Sequence, residues 1–243
     1  MNRHLEWEGC FNVRDLGGLV TGSGATIRRG AFVRGDDVSR LTGAGWSELE
    51  SHGIRTVVDL RNEDELEPGV APRPETLASV RVPIDDLQDE VFWEEVRRER
   101  LDGSPLYFRP FIERKAERCA AALIAIAEAE PGGVLFHCGR GRDRTGLVAL
   151  LLLSLLGVAP GDIASDYDLS AERLRPLDAS RGEPDQGIEI ARILEAKGTS
   201  SRKLIFDLLG SVNLPEVLGA GGLRDEHVSA LKARGLERDP SGQ

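Results

Sequence analysis

The ten residues HCGRGRDRTG at 137–146 concentrate more reactive chemistry than any other stretch of this chain. Five residues separate Cys138 from Arg144, and Arg140 and Arg142 lie between them. The chain as a whole is acidic, with 41 Asp and Glu against 31 Lys and Arg and a formal net charge of −10, so three alternating arginines are a local exception. A thiol set among guanidinium groups and main-chain N–H donors ionises well below the ~8.5 of a free cysteine. The same positive field binds a phosphate dianion, and a planar guanidinium holds two of its oxygens at once. Cys138, Arg144 and the residues between them have the types and the spacing to wrap one phosphoryl group and attack it through sulfur.

Such a loop works only if the chain positions it. VLFH (134–137) is a buried apolar run that predicts a strand, and TGLVALLLLSLL (145–156) predicts an apolar helix. The loop between them sits at the carboxyl end of a strand and the amino end of a helix, where open α/β sheets bind ligands. Unpaired N–H groups and the helix dipole favour an anion there. Gly139 and Gly141 let the backbone curl so that successive N–H groups converge. Thr145 can donate its hydroxyl to the sulfur. Gly139, Arg140, Gly141, Arg142, Thr145 and Gly146 are the candidate phosphate contacts.

The rest of the chain supplies a scaffold. FNVRDLGGLV, the turn signal TGSG (21–24) and ATIRRGAFVRG predict a β-hairpin or ribbon within residues 1–35. Thr42 caps a helix that Gly53 stops. IRTVVDL (54–60) is a β-branched buried strand and SVRVPI (79–84) a weaker one. Residues 87–101 form a helix with a charged outer face, followed by a polar break at DGSP (102–105). Residues 86–106 could close over the pocket as a lid. A long helix is predicted from Tyr107 to Ala129, with Cys119 on its apolar stripe and hence in the core. Several short helices over about 160–237 form a C-terminal cap. Strands separated by helices imply an α/β fold with a central, mostly parallel sheet flanked by helices. The 243 residues are read as one domain, 1–243.

Composition narrows the function. An acidic balance argues against nucleic-acid or membrane-surface binding, which needs an extended basic face. The N-terminus lacks an apolar run of signal-peptide length, so no export is expected. The run Gly146–Gly157 is about half the ~20 residues needed to span a bilayer, so no transmembrane segment is expected. Cys10, Cys119 and Cys138 form no C-x-x-C pair, and the 4 histidines show no ligand spacing. The expectation is a reduced, cytoplasmic protein without metal or cofactor.

HCGRGRDRTG resembles the H-C-x5-R-[S/T] loop of cysteine-dependent phosphatases. More narrowly it resembles the H-C-x-x-G-K-D-R-T-G loop of a bacterial tyrosine-phosphatase family, which includes mycobacterial and Listeria phosphatases acting on phosphoprotein and phosphoinositide. NVRDLGG (12–18), GAFVRGDDVSRL (30–41), DLRNEDE (59–65) and DYDLS (166–170) match further elements of that family in order, over roughly residues 10–170. Two departures stand out. Arg142 replaces the usual Lys, and Arg140 occupies a place where small or neutral residues are common.

The resemblance implies a phosphomonoester hydrolase with a phosphocysteine intermediate, a cysteine-phosphatase fold and a phosphotyrosine protein as substrate. A phosphoinositide is the alternative within the same chemistry. Cys138 is then the nucleophile, Arg144 the transition-state clamp and Asp143 the general acid. Asp86 or Asp85, at the end of a predicted strand, is the competing acid. His137 is expected to hold the cysteine rather than shuttle protons. Asp59 and Arg61 could orient the loop or merely end their strand. Arg14 and Asp15 could reach the site or pin the amino-terminal ribbon. Arg34 could bind a second phosphate or pair with Asp36. Other readings are a silent phosphate-binding module, a sulfurtransferase and an arsenate reductase; the last would need resolving cysteines near the site.

Overall fold

The computed structural model describes residues 3–237. Its centre is strand β6 (Gly133–His137), buried at every position. Parallel neighbours flank it: β3 (Phe32–Gly35) on one side and β4 (Ile54–Asp59) on the other, with β5 (Ala78–Arg81) beyond β4. β1 (Arg14–Asp15) adds to β3 antiparallel, giving the order β1-β3-β6-β4-β5. The fold is therefore mixed α/β with a mostly parallel sheet, as the alternation of strand and helix patterns predicts.

Alternation along the strands divides the core between two faces. Val134 and Phe136 of β6, with Val58 of β4, pack with α4 (Ala116–Ala127) and α5 (Arg144–Leu155). Leu135 and Val57 face the other way, with Val33, onto Trp46 and Leu49 of α1 (Gly43–Ser51). Burying a side chain such as Phe136 contributes roughly 1.5–3 kcal/mol. Helix α5 is buried continuously from Thr145 to Leu153, so its apolar run serves the core. No helix among the described residues is long and apolar enough to cross a membrane.

Register brings the working ends together. Gly35 and Asp59 both pair with His137, so the segments after β3, β4 and β6 emerge at one edge of the sheet. Thr42 caps α1 through the N–H of Gly45, and Gly53 turns out of it with φ +91°. After α5 the chain runs through α6 (Pro160–Arg173), α7 (Arg175–Ser180), α8 (Gln186–Ala196), α9 (Ser201–Ser211), α10 (Leu214–Ala220) and α11 (Asp225–Gly235).

Two features differ from the sequence pattern. The helix expected over 107–129 is broken at Lys115 into α3 (Phe108–Arg114) and α4, because Lys115 leaves helical geometry at φ −133° and ψ 38°. Its ammonium bonds there to Asp86 and Asp89 at 2.9 and 2.7 Å, tying the break to the segment before α2 (Glu90–Arg98). The amino-terminal ribbon is also less self-contained than its hairpin signal suggests. Val20 and Thr26 bridge around the TGSG turn, but β2 (Thr26–Ile27) takes its ladder from β7 (Leu236–Glu237). Within the segment 86–106, which could close over the pocket as a lid, α2 is held to the core through buried Phe92 and Val96.

Candidate active site

The loop 138–143 is held from outside by its carbonyl groups. Asp37 donates its backbone N–H to Gly139 O at 3.3 Å, Asn12 Nδ2 donates to Arg140 O at 3.0 Å, and Arg34 donates to Gly141 O at 2.7 Å. In a trans peptide the C=O and the following N–H point in opposite directions. Three successive carbonyls drawn outward therefore turn the N–H groups of Arg140, Gly141 and Arg142 to the inner side. Gly141 makes the turn possible. It sits at φ +68°, and a Cβ there would lie 2.4 Å from Gly35 O.

Arg144 opens α5 with its guanidinium clamped by two carboxylates. Glu65 takes the end-on edge, accepting from Nη1 and, at 2.6 Å, from Nη2, while Asp85 lies 3.1 Å from Nη1. The other edge, with Nε, stays available for a second planar acceptor. Burial opposes the positive charge of Arg144, but Glu65, Cys138 and Asp85 raise its pKa above the ordinary arginine value. Glu65 is itself fixed by a reciprocal turn, accepting from the N–H of Asn62 at 3.0 Å. Burial pushes Glu65 up, yet the Arg144 fork holds it below the usual glutamate value.

Asp85 behaves differently. Burial pushes its carboxyl up to about 6, and the negative charges of Glu65 and Asp143 act in the same direction against Arg144 and Asn62. Asp85, not Asp86, faces the loop arginine. The carboxylate of Asp86 bonds instead to Lys115 at 2.9 Å and Arg118 at 3.4 Å, and Lys115 holds it below the usual aspartate value. Asp86 is thereby occupied at the break between α3 and α4, and the structure does not bring it into the loop. Asp143 is held by the neighbouring Arg142, whose Nε and Nη2 donate at 3.0 and 3.2 Å. Buried Tyr107 senses this cluster: burial first, then Asp143 and Asp85, raise its hydroxyl well above the tyrosine value.

The rim arginines have partners elsewhere in the chain. Arg140 pairs with Asp178 and Glu183 of the C-terminal helical region. Arg142 adds a 3.4 Å contact to Gln186 at the start of α8. Thr145 is fully buried, and its hydroxyl has no hydrogen-bond partner among the described residues, so the expected donation to sulfur is not formed. Cys138 is 2 % exposed.

Behind the loop runs a chain of charges. His137 lies 3.3 Å from Cys138 O through Nδ1 and 3.8 Å from Asp59 through Nε2. Burial lowers the pKa of this imidazole, which suits a neutral holding role. Asp59 receives two bonds from Arg61 at 3.0 and 2.8 Å, and Arg61 reaches Asp37 at 2.7 Å. Asp37 in turn supports Gly139. On the other side, Asp166 gathers Arg3, Arg14 and Arg34 at 2.9, 3.1 and 2.7 Å. Arg34 thus pairs with Asp166 rather than Asp36, and Arg14 is a buried tie from β1 to α6. Asp36 instead takes Arg40 and the N–H groups of Phe11 and Asn12. Asp15 accepts from Gly17 and Gly30 and lies 3.0 Å from His52, so it pins the ribbon.

Glu65 is the site residue that residue-type reasoning passed over. Its one sequence signal is its place at the end of DLRNEDE. Cys10 and Cys119 are buried, and burial raises the pKa of both thiols.

The sequence profile of a tyrosine phosphatase family matches residues 5–214. The chain is 32% identical over 178 residues to a provisionally named tyrosine-protein phosphatase of Cupriavidus necator, covering 70% of this chain and 64% of that one. It is 32% identical over 154 residues to a tyrosine-protein phosphatase of Nostoc commune, covering 59% and 49%. A third relative, 29% identical over 201 residues and covered to 71%, with 72% of this chain matched, is the triple specificity protein phosphatase PtpB of Mycobacterium tuberculosis. The chain spans 64% and 49% of the length of the first two relatives.

Proposed function

The chain belongs to the tyrosine phosphatase family, and from that premise we propose that it hydrolyses phosphomonoesters through a phosphocysteine, with phosphotyrosine protein as the substrate. The observation that carries this reading is the loop behind Cys138. Its carbonyls are pulled outward by Asp37, Asn12 and Arg34, which leaves amide donors on the inner side and Arg144 at its end.

In the proposed reaction the Cys138 thiolate attacks phosphorus, forming an S–P bond as the ester P–O bond breaks. The inward amides and the free edge of Arg144 stabilise the charge on the three equatorial oxygens. Asp143, oriented by Arg142, gives its proton to the departing oxygen. A water then attacks phosphorus, the S–P bond breaks, and its proton returns to Asp143. His137, Asp59 and Arg61 support the loop without touching substrate, and Gly139, Gly141, Thr145 and Gly146 shape it. Asp85 is a second candidate acid, favoured by its carboxyl being raised to about 6.

Substrate choice follows from the rim. Arg140 and Arg142 are matched by Asp178, Glu183 and Asp143, so a ring bearing several phosphates would have to displace those carboxylates. This favours a single phosphomonoester over a phosphoinositide. We take residues 1–243 as one phosphatase domain, working in the cytoplasm, where the three cysteines, all free, stay reduced.

The test is release of phosphate from p-nitrophenyl phosphate and from a phosphotyrosine peptide. Turnover should vanish in Cys138→Ser and persist with chelator. Turnover in Cys138→Ser would sink the proposal, and a preference for soluble phosphoinositides over the peptide would overturn the substrate reading.

A further inference from the structure

A second concentration of arginine lies at the other end of the sheet. The turns leading into β3, β4 and β6, at Gly30, Gly53 and Gly132, border a cleft of about 560 Å³ whose polar side chains are Arg28, Arg29, Arg234 and His52. Among the described residues no carboxylate lines it; the nearest one named, buried Asp15, sits behind it on His52 and the N–H of Gly30. β6 runs from this cleft to Cys138, and its 5 residues at ~3.3 Å each separate the two places by roughly 16 Å.

The arginines are short of counter-charge. Arg28 donates to carbonyl oxygens of Arg234 and Leu236 at 3.2 and 3.3 Å, and it forms no ion pair among the described residues. Arg234 donates to the carbonyls of Ala129, Glu130 and Gly132 just beyond the end of α4, with the last two at 3.1 and 2.6 Å. Its Nε is buried without an acceptor among the described residues. Burial lowers its pKa, and no carboxylate among the described residues offsets that. Arg29 makes no hydrogen bond or ion pair to any described residue. Carbonyl dipoles at a helix C-terminus offset only part of a positive charge. A desolvated guanidinium with an idle N–H still favours an anion strongly.

We propose that this cleft, bounded by Arg28, Arg29 and Arg234, is a binding site for a phosphate-bearing small molecule, separate from the Cys138 loop. The phosphate accepts from the free fork of Arg29 and from the exposed side of Arg28, and its negative charge offsets the positive charge of Arg234. The volume falls in the 300–1,000 Å³ range of small-ligand sites, so the ligand carries a body larger than the phosphate alone. Two sources share this chemistry: a soluble phosphorylated compound and the headgroup of an anionic phospholipid.

The experiment uses the full chain with Arg144→Ala, which removes the loop's own anion clamp and so separates this site from the catalytic reading. Inorganic phosphate and glycerol 3-phosphate are titrated in calorimetry, and flotation is run with phosphatidic acid vesicles against phosphatidylcholine vesicles. The prediction is binding of phosphate in the Arg144→Ala chain, weakened about tenfold or more by adding Arg29→Ala or Arg234→Gln. Arg29 is exposed and forms no hydrogen bond or ion pair to a described residue, so its variant stays informative if Arg234→Gln unfolds. Flotation with phosphatidic acid alone, lost in Arg29→Ala, supports the headgroup source, and soluble binding without flotation supports the free compound. Absence of all three forms of binding overturns the proposal, as does binding that both added substitutions leave unchanged.

Discussion

Replacing Glu65 by Gln removes one negative charge from the Arg144 clamp while keeping side-chain size and one acceptor oxygen. In the native chain both Glu65 oxygens receive bonds from Arg144, and Oε1 also receives the N–H of Asn62. The amide retains a single acceptor for these demands, so at least one charge-assisted bond to Arg144 is lost. Such a bond contributes about 1.5–3 kcal/mol, which converts to a fall in kcat/KM of roughly 10- to 150-fold if the clamp orients Arg144 for the transition state. A second effect follows from the same charge. Glu65 is one of the groups that raise Asp85, so the Asp85 carboxyl should titrate below its native value of about 6. The assay is p-nitrophenyl phosphate hydrolysis across pH, with carboxyl-carbon NMR of Asp85 as the companion readout. An unchanged kcat/KM together with an unmoved Asp85 titration would refute the positioning role.

Further outcomes follow from the other carboxylates. Asp143→Asn should lower kcat on phenyl phosphate, a poor leaving group, by about 10²–10⁴-fold and much less on p-nitrophenyl phosphate; if Asp85→Asn alone shows that contrast, Asp85 is the acid. Because the folded pKa of Asp85 is raised, its ionisation costs stability as pH rises through about 6. Asp85→Asn should therefore raise Tm at neutral pH, by an equivalent of roughly 3 kcal/mol at most, and the gain should disappear below the ordinary aspartate pKa; a Tm unchanged at all pH values would contradict this. Asp166 has the opposite sign. Against burial, Arg14, Arg34 and Arg3 hold it well below the usual range, so its contribution is present at neutral pH and fades on acidification. Asp166→Asn leaves Arg14 and Arg34 buried without a counter-charge and should cost about 3–5 kcal/mol in urea unfolding.

Local pattern made much of the scaffold legible. The β-branched run of β4, the apolar run of β6 and the continuous apolar helix α5 are signals confined to a few neighbouring residues, and each forms where its pattern lies. The loop's arginines were equally plain as cations. Their partners were not, because Arg144 meets Glu65 across 79 residues, Arg140 meets Asp178 across 38, and Arg34 meets Asp166 across 132. No local rule specifies which of 41 acidic residues closes a given pair. The break at Lys115 has the same origin: its helical pattern is continuous, and distant Asp86 and Asp89 bind the ammonium where the backbone departs. The pairing of β2 with β7 likewise joins the two ends of the chain.

The most direct test of the central claim is to trap the intermediate. Asp143→Asn, mixed with p-nitrophenyl phosphate and quenched in acid within one turnover, should yield a Cys138 peptide heavier by one phosphoryl group, and the same treatment of a chain also carrying Cys138→Ser should not. A Cys138 peptide that stays unmodified while p-nitrophenol is released would contradict the account.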